Sequence, residues 1–212
     1  MKHSRLILAA VLAALILSTA GCMKTWSVDF RNVNDIDDWY NSDPGAEQLI
    51  GGTGLVLDGA TIGTPVAFGA DFEVTLVFYL GVDASSRASL TAFIGDSATW
   101  RPMNFFLLKL GLMGDPGSEQ LQITDAGPIL NTNIANNNSA DIPYLDRHGL
   151  NTLVISKTGN VIQMYLNEEP LQEFALLYCN AAHYRVNLTV DCDGDSTFII
   201  KRIKVKYSGA LL

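Results

Sequence analysis

Apolar and polar residues alternate with a period of two along much of this 212-residue chain, and this alternation constrains the fold more than any other feature. In the segment DFEVTLVFYL, every second residue from Phe72 to Leu80 is apolar, so one side of an extended strand belongs to a core. The segment RVNLTVD alternates more cleanly still, which predicts a strand with one face exposed to water. No long helical periodicity competes with this pattern. The chain is therefore expected to be all-β.

Many short strands, separated by loops rich in Gly, Pro, Asp and Asn, predict an antiparallel sandwich or barrel. The other predicted strands are TWSVDF, GLVLDG, SLTAFIG, MNFFLLKLGL, EQLQITD, NTLVIS, VIQMYL and TFIIKRIKVKY. Gly159-Asn160 predicts a hairpin turn, because both residues tolerate positive φ. The last strand changes phase, which a bulge near Lys201-Arg202 would reconcile. The polar stretch from Asn131 to Gly149 is expected to be a surface loop.

The order of these segments resembles the concanavalin A-like, laminin G-like jelly-roll sandwich over about residues 26–207. The resemblance is carried by WSVDF, DDWY, GTGLVLDG, HGLNTLVISKTGNVIQMYLNEEPL and FIIKRIKVKY. It implies one β-sandwich domain, residues 26–212, made of two stacked antiparallel sheets. Asn167-Glu168 stands where the family usually has Asn-Gly, so a tight two-residue turn is not expected there. The fold hosts lectins, adhesive modules and glycoside hydrolases, and it does not choose between binding and catalysis.

The first 21 residues have the layout of a secretory signal, with Lys2 and Arg5 ahead of an apolar run from Leu6 to Leu17. As a helix, that run would cover about 18 Å, short of the roughly 30 Å hydrocarbon core that a permanent anchor must cross. The ending STAGC resembles the bacterial lipobox, which implies cleavage before Cys22 and lipid attachment to its thiol. Residues 22–25 would then be a lipidated tether. Met23 in place of Asp implies the outer membrane in the Gram-negative sorting pattern.

The mature part is acidic, which argues against nucleic acid as a partner. Removing residues 1–21 takes away Lys2 and Arg5, so 12 basic side chains remain against 22 acidic ones, a formal charge of −10. Backbone neutralisation of nucleic acid needs clustered Lys and Arg, and the only basic run, KRIKVK, has the pattern of a strand with a solvated face. Cys179 and Cys192 remain after cleavage. They form either a disulfide or two buried free thiols.

Residues for hydrolytic catalysis are hard to find. A retaining glycosidase needs two carboxylates about 5 Å apart, and the Glu-x-Asp patterns of the best-known hydrolases of this fold do not occur. The acidic cluster NDIDDW, with Asp35 and Asp37, is better explained as a solvated turn before Trp39. His148 and His183 fit loop positions better than that of a general base, and no Gly-x-Ser-x-Gly elbow occurs.

The segment DCDGDS offers a candidate metal site. Asp191, Asp193 and Asp195 alternate around Gly194, and three carboxylates can converge on a hard cation such as Ca²⁺. The alternative is an ordinary hairpin turn at Asp193-Gly194. Calcium binding near these residues is thus a hypothesis that a turn would also explain.

The segment GDSATWRPMN offers a candidate sugar site. An exposed aromatic ring stacks on the apolar face of a pyranose, and polar neighbours hold its hydroxyls. Asp96, Trp100, Arg101 and Asn104 supply this mixture between two predicted strands, although Trp100 at the edge of the core is an equally simple explanation. Tyr144 and Arg147 in the long loop form a weaker second set.

These observations together predict a lipid-anchored binding protein of the cell envelope, with glycan as its leading ligand. A glycoside hydrolase or lyase with an unrecognised site is the main alternative. A structural or adhesive module that meets another surface protein through a sheet face or edge is the third.

Overall fold

In a computed structural model of the chain, the structure describes residues 23–31, 35–42, 47–50, 54–57, 59–83, 86–96, 104–113, 119–127, 132–137, 142 and 144–209. Within these ranges all regular structure is β. The strands are β1 (Lys24–Asp29), β2 (Tyr40–Asn41), β3 (Glu47–Ile50), β4 (Gly54–Leu57), β5 (Thr61–Gly63), β6 (Phe72–Gly81), β7 (Arg87–Gly95), β8 (Phe105–Met113), β9 (Gln120–Ala126), β10 (Thr132–Asn137), β11 (Leu150–Thr158), β12 (Val161–Leu166), β13 (Glu169–Ala175), β14 (Arg185–Asp193) and β15 (Thr197–Tyr207). Over the same ranges, no helix has the length and apolar character needed to cross a bilayer.

The strands form two antiparallel sheets. The eight-stranded sheet has the order β13-β12-β11-β6-β15-β4-β3, and β1 pairs with β15 beside this path. The seven-stranded sheet has the order β10-β9-β8-β7-β14-β5-β2. The chain passes repeatedly from one sheet to the other, for example from β6 to β7 and from β14 to β15, so the prediction of an all-β two-sheet sandwich is confirmed.

The core lies between the two sheets and follows the predicted alternation. In β6, each apolar residue from Phe72 to Leu80 is buried, and the residues between them are only partly buried. Phe78 of β6 stacks on Phe198 of β15 with ring centroids 4.6 Å apart. Burial of such rings stabilises the packing of the layers, because apolar area removed from water contributes about 25 cal/mol per Å².

Strand β14 differs from its prediction on one face. Val186, Leu188 and Val190 face the core as expected, but Asn187 and Thr189 on the other face are also buried, at 1% and 6% exposure. Thr189 Oγ1 lies 2.6 Å from Thr61 Oγ1 on the neighbouring β5. A central strand with partners on both sides can bury polar side chains that hydrogen-bond across it, which a single-strand pattern does not reveal.

Both turns of the β11–β12–β13 meander are tight. Gly159 has a φ of 59°, and Thr158 pairs with Val161, so the predicted Gly159-Asn160 hairpin is confirmed. Asn167 and Glu168 have φ values of 51° and 73°, and Leu166 pairs with Glu169 across them. The second turn is therefore a two-residue turn even without glycine, contrary to the expectation. Asn167 favours this conformation because its side-chain oxygen accepts the backbone N–H of Thr152 at 2.8 Å.

The predicted bulge in the last strand is confirmed. The register of β15 against β6 shifts between Ile200 and Arg202. At the same place the opposite neighbour of β15 changes, because Ile200 pairs with Leu55 of β4 whereas Arg202 pairs with Asp29 of β1. The extra residue lets one strand serve two partners in succession.

The stretch from Asn131 to Gly149 is not entirely a loop. Residues 132–137 form β10, which pairs with β9 at the edge of the seven-stranded sheet. A polar strand such as TNIANN carries no apolar alternation, and edge strands are under weaker pressure to show one. Further along, Asn151 Nδ2 donates to the backbone oxygen of Asp146 at 2.7 Å and fixes the end of this stretch.

Trp26 and Trp39 lie at the edge of the core. Trp39 is 9% exposed, and its ring centroid lies 5.8 Å from that of Trp26 and 5.5 Å from that of Phe30. The turn at Asp35–Asp38 before Trp39 is also present. β1 begins at Lys24, so the last two residues assigned to the tether already belong to the sheet.

Candidate functional site

A pair of aromatic rings is displayed on the outer face of the seven-stranded sheet. Phe93 of β7 and Phe105 of β8 are partly buried, and their ring centroids lie 5.7 Å apart. Both point away from the core because the buried positions of these strands alternate with them. Leu107 stands directly opposite Phe93 and extends the apolar surface. We call Phe93, Phe105 and Leu107 the aromatic patch.

Hydrogen-bonding side chains follow the aromatic patch on the same face. Thr91, Lys109 and Gln122 form one row across β7, β8 and β9, two residues further along the strands. That offset is about 7 Å. Thr124 lies next to Leu107, and Gln122 Nε2 donates to its hydroxyl at 3.5 Å. A sugar ring has an apolar face and a rim of hydroxyl groups. An apolar surface bordered by hydroxyl, amide and ammonium groups can contact both.

The sequence-predicted sugar site lies partly at the end of this face. Trp100 and Arg101 fall outside the described residues, so their part of the prediction stays a prediction. Asp96 is exposed, and its N–H donates to the backbone oxygen of Asn104 at 3.1 Å. This bond closes the base of the β7–β8 connection, next to Phe105.

Asn104 does not have the role that was predicted for it. Its side chain is buried, at 8% exposure for the residue, and its Oδ1 accepts the N–H of Asn180 at 3.1 Å. Its Nδ2 donates back to Asn180 Oδ1 at 3.3 Å. The amide is thus used to join two loops, and this correction removes Asn104 from the set of sugar contacts.

Phe93 and Phe105 were missed as site residues at the sequence level. Both lie in segments that were correctly predicted as strands, at positions out of phase with the buried residues. An aromatic residue on the polar side of an amphipathic strand was the available signal. What the pattern could not supply was the register that brings the two rings together.

The candidate metal site is a turn in the structure. Ser196 N–H donates to Asp193 O at 3.2 Å, and Gly194 has a φ of 59°. Asp193 Oδ1 accepts the backbone N–H of Arg87 at 2.6 Å. In the part of the chain that the structure describes, which includes Asp191, Asp193 and Asp195, no three His, Cys, Asp or Glu side chains gather around a common point. The structure thus does not bring these three carboxylates together for Ca²⁺. The predicted hairpin is corrected as well, because β14 and β15 lie in different sheets, so Asp193–Ser196 is a turn from one sheet to the other.

Cys179 and Cys192 are not joined by a disulfide. Cys179 is buried and lies beside Tyr184, with Sγ 3.8 Å from the phenol oxygen. Cys192 lies on β14, eight residues after Tyr184 in the chain, and pairs with Ala88. Eight extended residues span about 26 Å, and a disulfide needs Cα atoms within about 7 Å. The disulfide alternative is therefore wrong in this structure. Cys22, the predicted lipidation site, lies outside the described residues.

A buried carboxylate anchors the loop that follows β13. Asp125 is fully buried and accepts the backbone N–H groups of Leu177, Tyr178 and Cys179 at 2.5, 2.9 and 2.7 Å. Three N–H donors compensate the desolvation of one carboxylate, which would otherwise be costly. In the sequence, Asp125 ends the segment EQLQITD and resembles a turn residue. Its actual role is structural.

A second group of buried titratable residues lies next to this loop. Lys157 Nζ donates to Ala70 O at 2.9 Å and to Gly159 O at 2.6 Å, and it sits 4.9 Å from the ring centroid of Tyr184. Burial lowers the pKa of the Lys157 ammonium and raises the pKa of both the Cys179 thiol and the Tyr184 phenol. All three residues are buried, at 4%, 5% and 1% exposure for Lys157, Cys179 and Tyr184.

The outer face of the eight-stranded sheet carries a shallow cavity of about 330 Å³. It is lined by Asp29, Phe30, Arg31, Val77, Leu150, Lys201 and Arg202. Asp29 forms ion pairs with Arg202 and Arg31 at its border. In the long loop, Arg147 pairs with the buried Glu119, so it is held in the structure and is not presented to a ligand. His148 and His183 are exposed loop residues, as predicted.

No family model matches the sequence, and no curated protein is similar to it. Solved structures are similar in fold. The laminarinase catalytic domain from Thermotoga maritima MSB8 is 12% identical, with a TM-score of 0.61 over 89% of this chain and 99% of that one. The Emp47p carbohydrate recognition domain is 12% identical, with a TM-score of 0.60 over 87% and 96%. The Crh5 transglycosylase in complex with NAG is 12% identical, with a TM-score of 0.56 over 87% and 84%.

At this identity the likeness concerns the fold, and it agrees with the sheet order and with the resemblance in the sequence. The chain is an antiparallel jelly-roll sandwich of the concanavalin A-like type.

Proposed function

We propose that this protein is a lipid-anchored, non-catalytic glycan-binding module of the cell envelope, and that it binds glycan on the outer face of the seven-stranded sheet. The observation that carries the proposal is the aromatic patch, with Phe93 and Phe105 5.7 Å apart beside the row Thr91, Lys109 and Gln122. The similar folds of a carbohydrate recognition domain and of carbohydrate-active proteins support this ligand class.

The non-catalytic part of the proposal rests on the residues that share this face. The outward positions of β7, β8 and β9 are Arg87, Ser89, Thr91, Phe93, Phe105, Leu107, Lys109, Gln120, Gln122 and Thr124, apart from small residues and Met113. None of these residues is a carboxylic acid. On the neighbouring β14, Asp191 and Asp193 share this face opposite Ser89 and Arg87, and they accept the Ser89 hydroxyl and the Arg87 N–H. A retaining glycosidase needs a pair of carboxylates about 5 Å apart, and these two lie toward the other end of the strands from the aromatic patch.

Membrane attachment at Cys22 belongs to the same proposal. The lipobox-like ending supports it, and Met23 favours the outer membrane in the Gram-negative pattern. A Cys22→Ser variant should move from the membrane fraction to the soluble fraction of cells, and mass spectrometry of the wild type should find acyl chains at position 22. A bare thiol would contradict the anchoring.

A glycan array followed by titration of the best ligand tests the binding site. Phe93→Ala and Phe105→Ala should each weaken binding about tenfold, which corresponds to about 1.4 kcal/mol. Tyr165→Ala is the matched control, because Tyr165 is a partly exposed ring on the outer face of the other sheet. Equal affinity in all four proteins would overturn this site. Release of reducing sugar from a polysaccharide panel would favour the hydrolase alternative instead.

A further inference from the structure

Three of the large apolar side chains that are exposed in the described part of the chain lie at one end of the sandwich. A single row of paired residues crosses the eight-stranded sheet at this end, and it runs through Lys24, Tyr207, Phe72, Lys157, Ile162 and Phe174. Met23 immediately precedes the row at one side, and Leu177 and Tyr178 follow it at the other. Their exposures are 50%, 66% and 36%. We call this end the tether end.

The loop that carries Leu177 and Tyr178 is held rigidly. The three bonds from Asp125 fix its backbone, and Leu176 N–H donates to Asn160 O at 2.7 Å. Gly127 packs against the Tyr178 backbone so closely that an added Cβ would lie 2.9 Å from its carbonyl oxygen. These hydrogen bonds and the Gly127 contact therefore hold the loop in a conformation that exposes both apolar side chains.

The sequence ahead of Met23 indicates that the tether end lies next to a bilayer. Residues 1–22 precede Met23, and they contain the apolar run Leu6–Leu17 and the lipobox-like ending. Because β1 begins at Lys24, a lipid on Cys22 would hold the tether end within two residues of a bilayer. Met23 and the Leu177 loop stand at opposite sides of the sheet, five strand spacings or about 24 Å apart. Two separated contacts fix an orientation, whereas a single tether does not.

We propose that the tether end rests on the bilayer surface and that Leu177 and Tyr178 enter its interfacial region. A leucine beside a tyrosine suits this depth, since the aliphatic side chain enters the acyl boundary and the phenol stays at the level of the headgroups. The turn at Asp193–Ser196 then lies at the end of the sandwich away from the membrane. The aromatic patch lies toward the tether end of the seven-stranded sheet, because Phe105 pairs with Ala126, beside the Asp125 that holds the Leu177 loop. This inference rests on the lipid anchoring in the proposed function.

The test uses the full chain and places one fluorescent label at the tether end of the sandwich and another at the opposite end. Leu177→Cys and Leu150→Cys are made in a Cys192→Ser background and labelled with an NBD dye. The two leucines are matched in exposure, at 66% and 60%, but Leu150 lies at the other end of its sheet. The purified lipoproteins are reconstituted into phosphatidylcholine–phosphatidylglycerol vesicles with or without doxyl-labelled lipid. The unsubstituted background protein must remain unlabelled, because Cys179 is buried.

The label at position 177 should shift to shorter wavelength and be quenched at least threefold more by doxyl lipid than the label at position 150. Equal quenching at both positions would overturn the orientation. A label at position 177 that is shielded from iodide but insensitive to doxyl lipid would also overturn it, since another protein would then cover this end.

Flotation of the vesicles separates this inference from the proposed function. A wild-type chain that does not float overturns both the anchoring and the orientation. A chain that floats while the label at position 177 stays in water overturns the orientation alone. Hydrogen exchange of the wild-type protein provides a readout without substitutions. Vesicles should slow exchange in residues 176–184 and leave the Asn167-Glu168 turn unchanged, and the opposite pattern would refute the proposal.

Discussion

The carboxylate of Asp125 accepts the backbone N–H of Cys179 at 2.7 Å, although 54 positions separate the two residues in the chain. The bond joins the end of β9 to the loop after β13, and thus links the seven-stranded sheet to a segment that leaves the eight-stranded sheet. Two further N–H groups share the same carboxylate. One fully buried side chain therefore closes one end of the sandwich.

Asp125→Asn should lower the free energy of unfolding by about 2–4 kcal/mol, because the amide replaces an acceptor oxygen with a donor that faces N–H groups. Urea unfolding followed by circular dichroism would measure this. Asp96→Asn is the control. Asp96 is exposed, so this change should stay within about 0.5 kcal/mol. Equal stability of the two variants would contradict the role of Asp125.

Phe198→Ala should cost about 3–5 kcal/mol, because it removes a ring that is 1% exposed and stacks on Phe78. Phe93→Ala makes the same chemical change on the outer face, where the ring is partly exposed, and it should cost roughly 1 kcal/mol. Thermal or urea unfolding distinguishes the two. A large loss in Phe93→Ala would also invalidate its use as a binding-site variant.

Glu168→Gly should raise the free energy of unfolding by about 0.5–1 kcal/mol. Glu168 has a φ of 73°, a conformation that costs a residue with a side chain roughly 1–2 kcal/mol and that glycine adopts freely. Part of this gain is offset because glycine makes the unfolded chain more flexible, and folding must remove that additional entropy. The adjacent Glu169→Gly provides the comparison. Glu169 lies in β13, so glycine should destabilise the protein there. Destabilisation by both changes would show that the turn does not strain Glu168.

Arg202→Ala should change stability by less than about 1 kcal/mol despite the close contact between its guanidinium and Asp29. Their side chains are 46% and 35% exposed, and water screens a pair of this kind. A double-mutant cycle with Asp29→Ala, repeated in 1 M salt, measures the coupling. A coupling of 2 kcal/mol or more would mean that solvent screens the pair less than its exposure indicates.

Tyr184→Phe should reduce the loss of stability at alkaline pH. Burial raises the pKa of Tyr184, so its contribution is complete below the unfolded value of about 10 and is lost as pH rises from there toward the folded value. The lowered pKa of Lys157 acts in the opposite direction, but both proteins share it. Unfolding measured from pH 9 to 11.5 should give a steeper decline for the wild type. Parallel curves would refute the prediction.

Local patterns in the sequence were sufficient to predict most of the strands, as well as the bulge and the Gly159-Asn160 turn. The alternation in β6 and the phase change at Lys201-Arg202 both report which side of one strand faces the core, and both were correct. The prediction that Asn187 and Thr189 face water was wrong. Their burial depends on the neighbours of β14 in the sheet, and the sequence of one strand does not specify those neighbours.

The candidate site needed register as well as pattern. Phe93 and Phe105 are twelve residues apart in sequence, and only the pairing of Gly95 with Phe105 brings their rings together. Asp125 and Asn104 have ordinary loop-like contexts, and their partners lie 52 or more residues away. A sequence shows the chemical type of such residues, whereas their partners are determined by tertiary structure.

The pairing of the first strand with the last has a mechanical consequence. Lys24 lies opposite Tyr207, and β1 runs antiparallel to β15 from there to the pair formed by Asp29 and Arg202. A force applied to the chain ahead of Met23 acts along the axis of β1. It would load all six residue pairs together in shear, instead of peeling them apart in turn, so the body would resist extraction by its N-terminus.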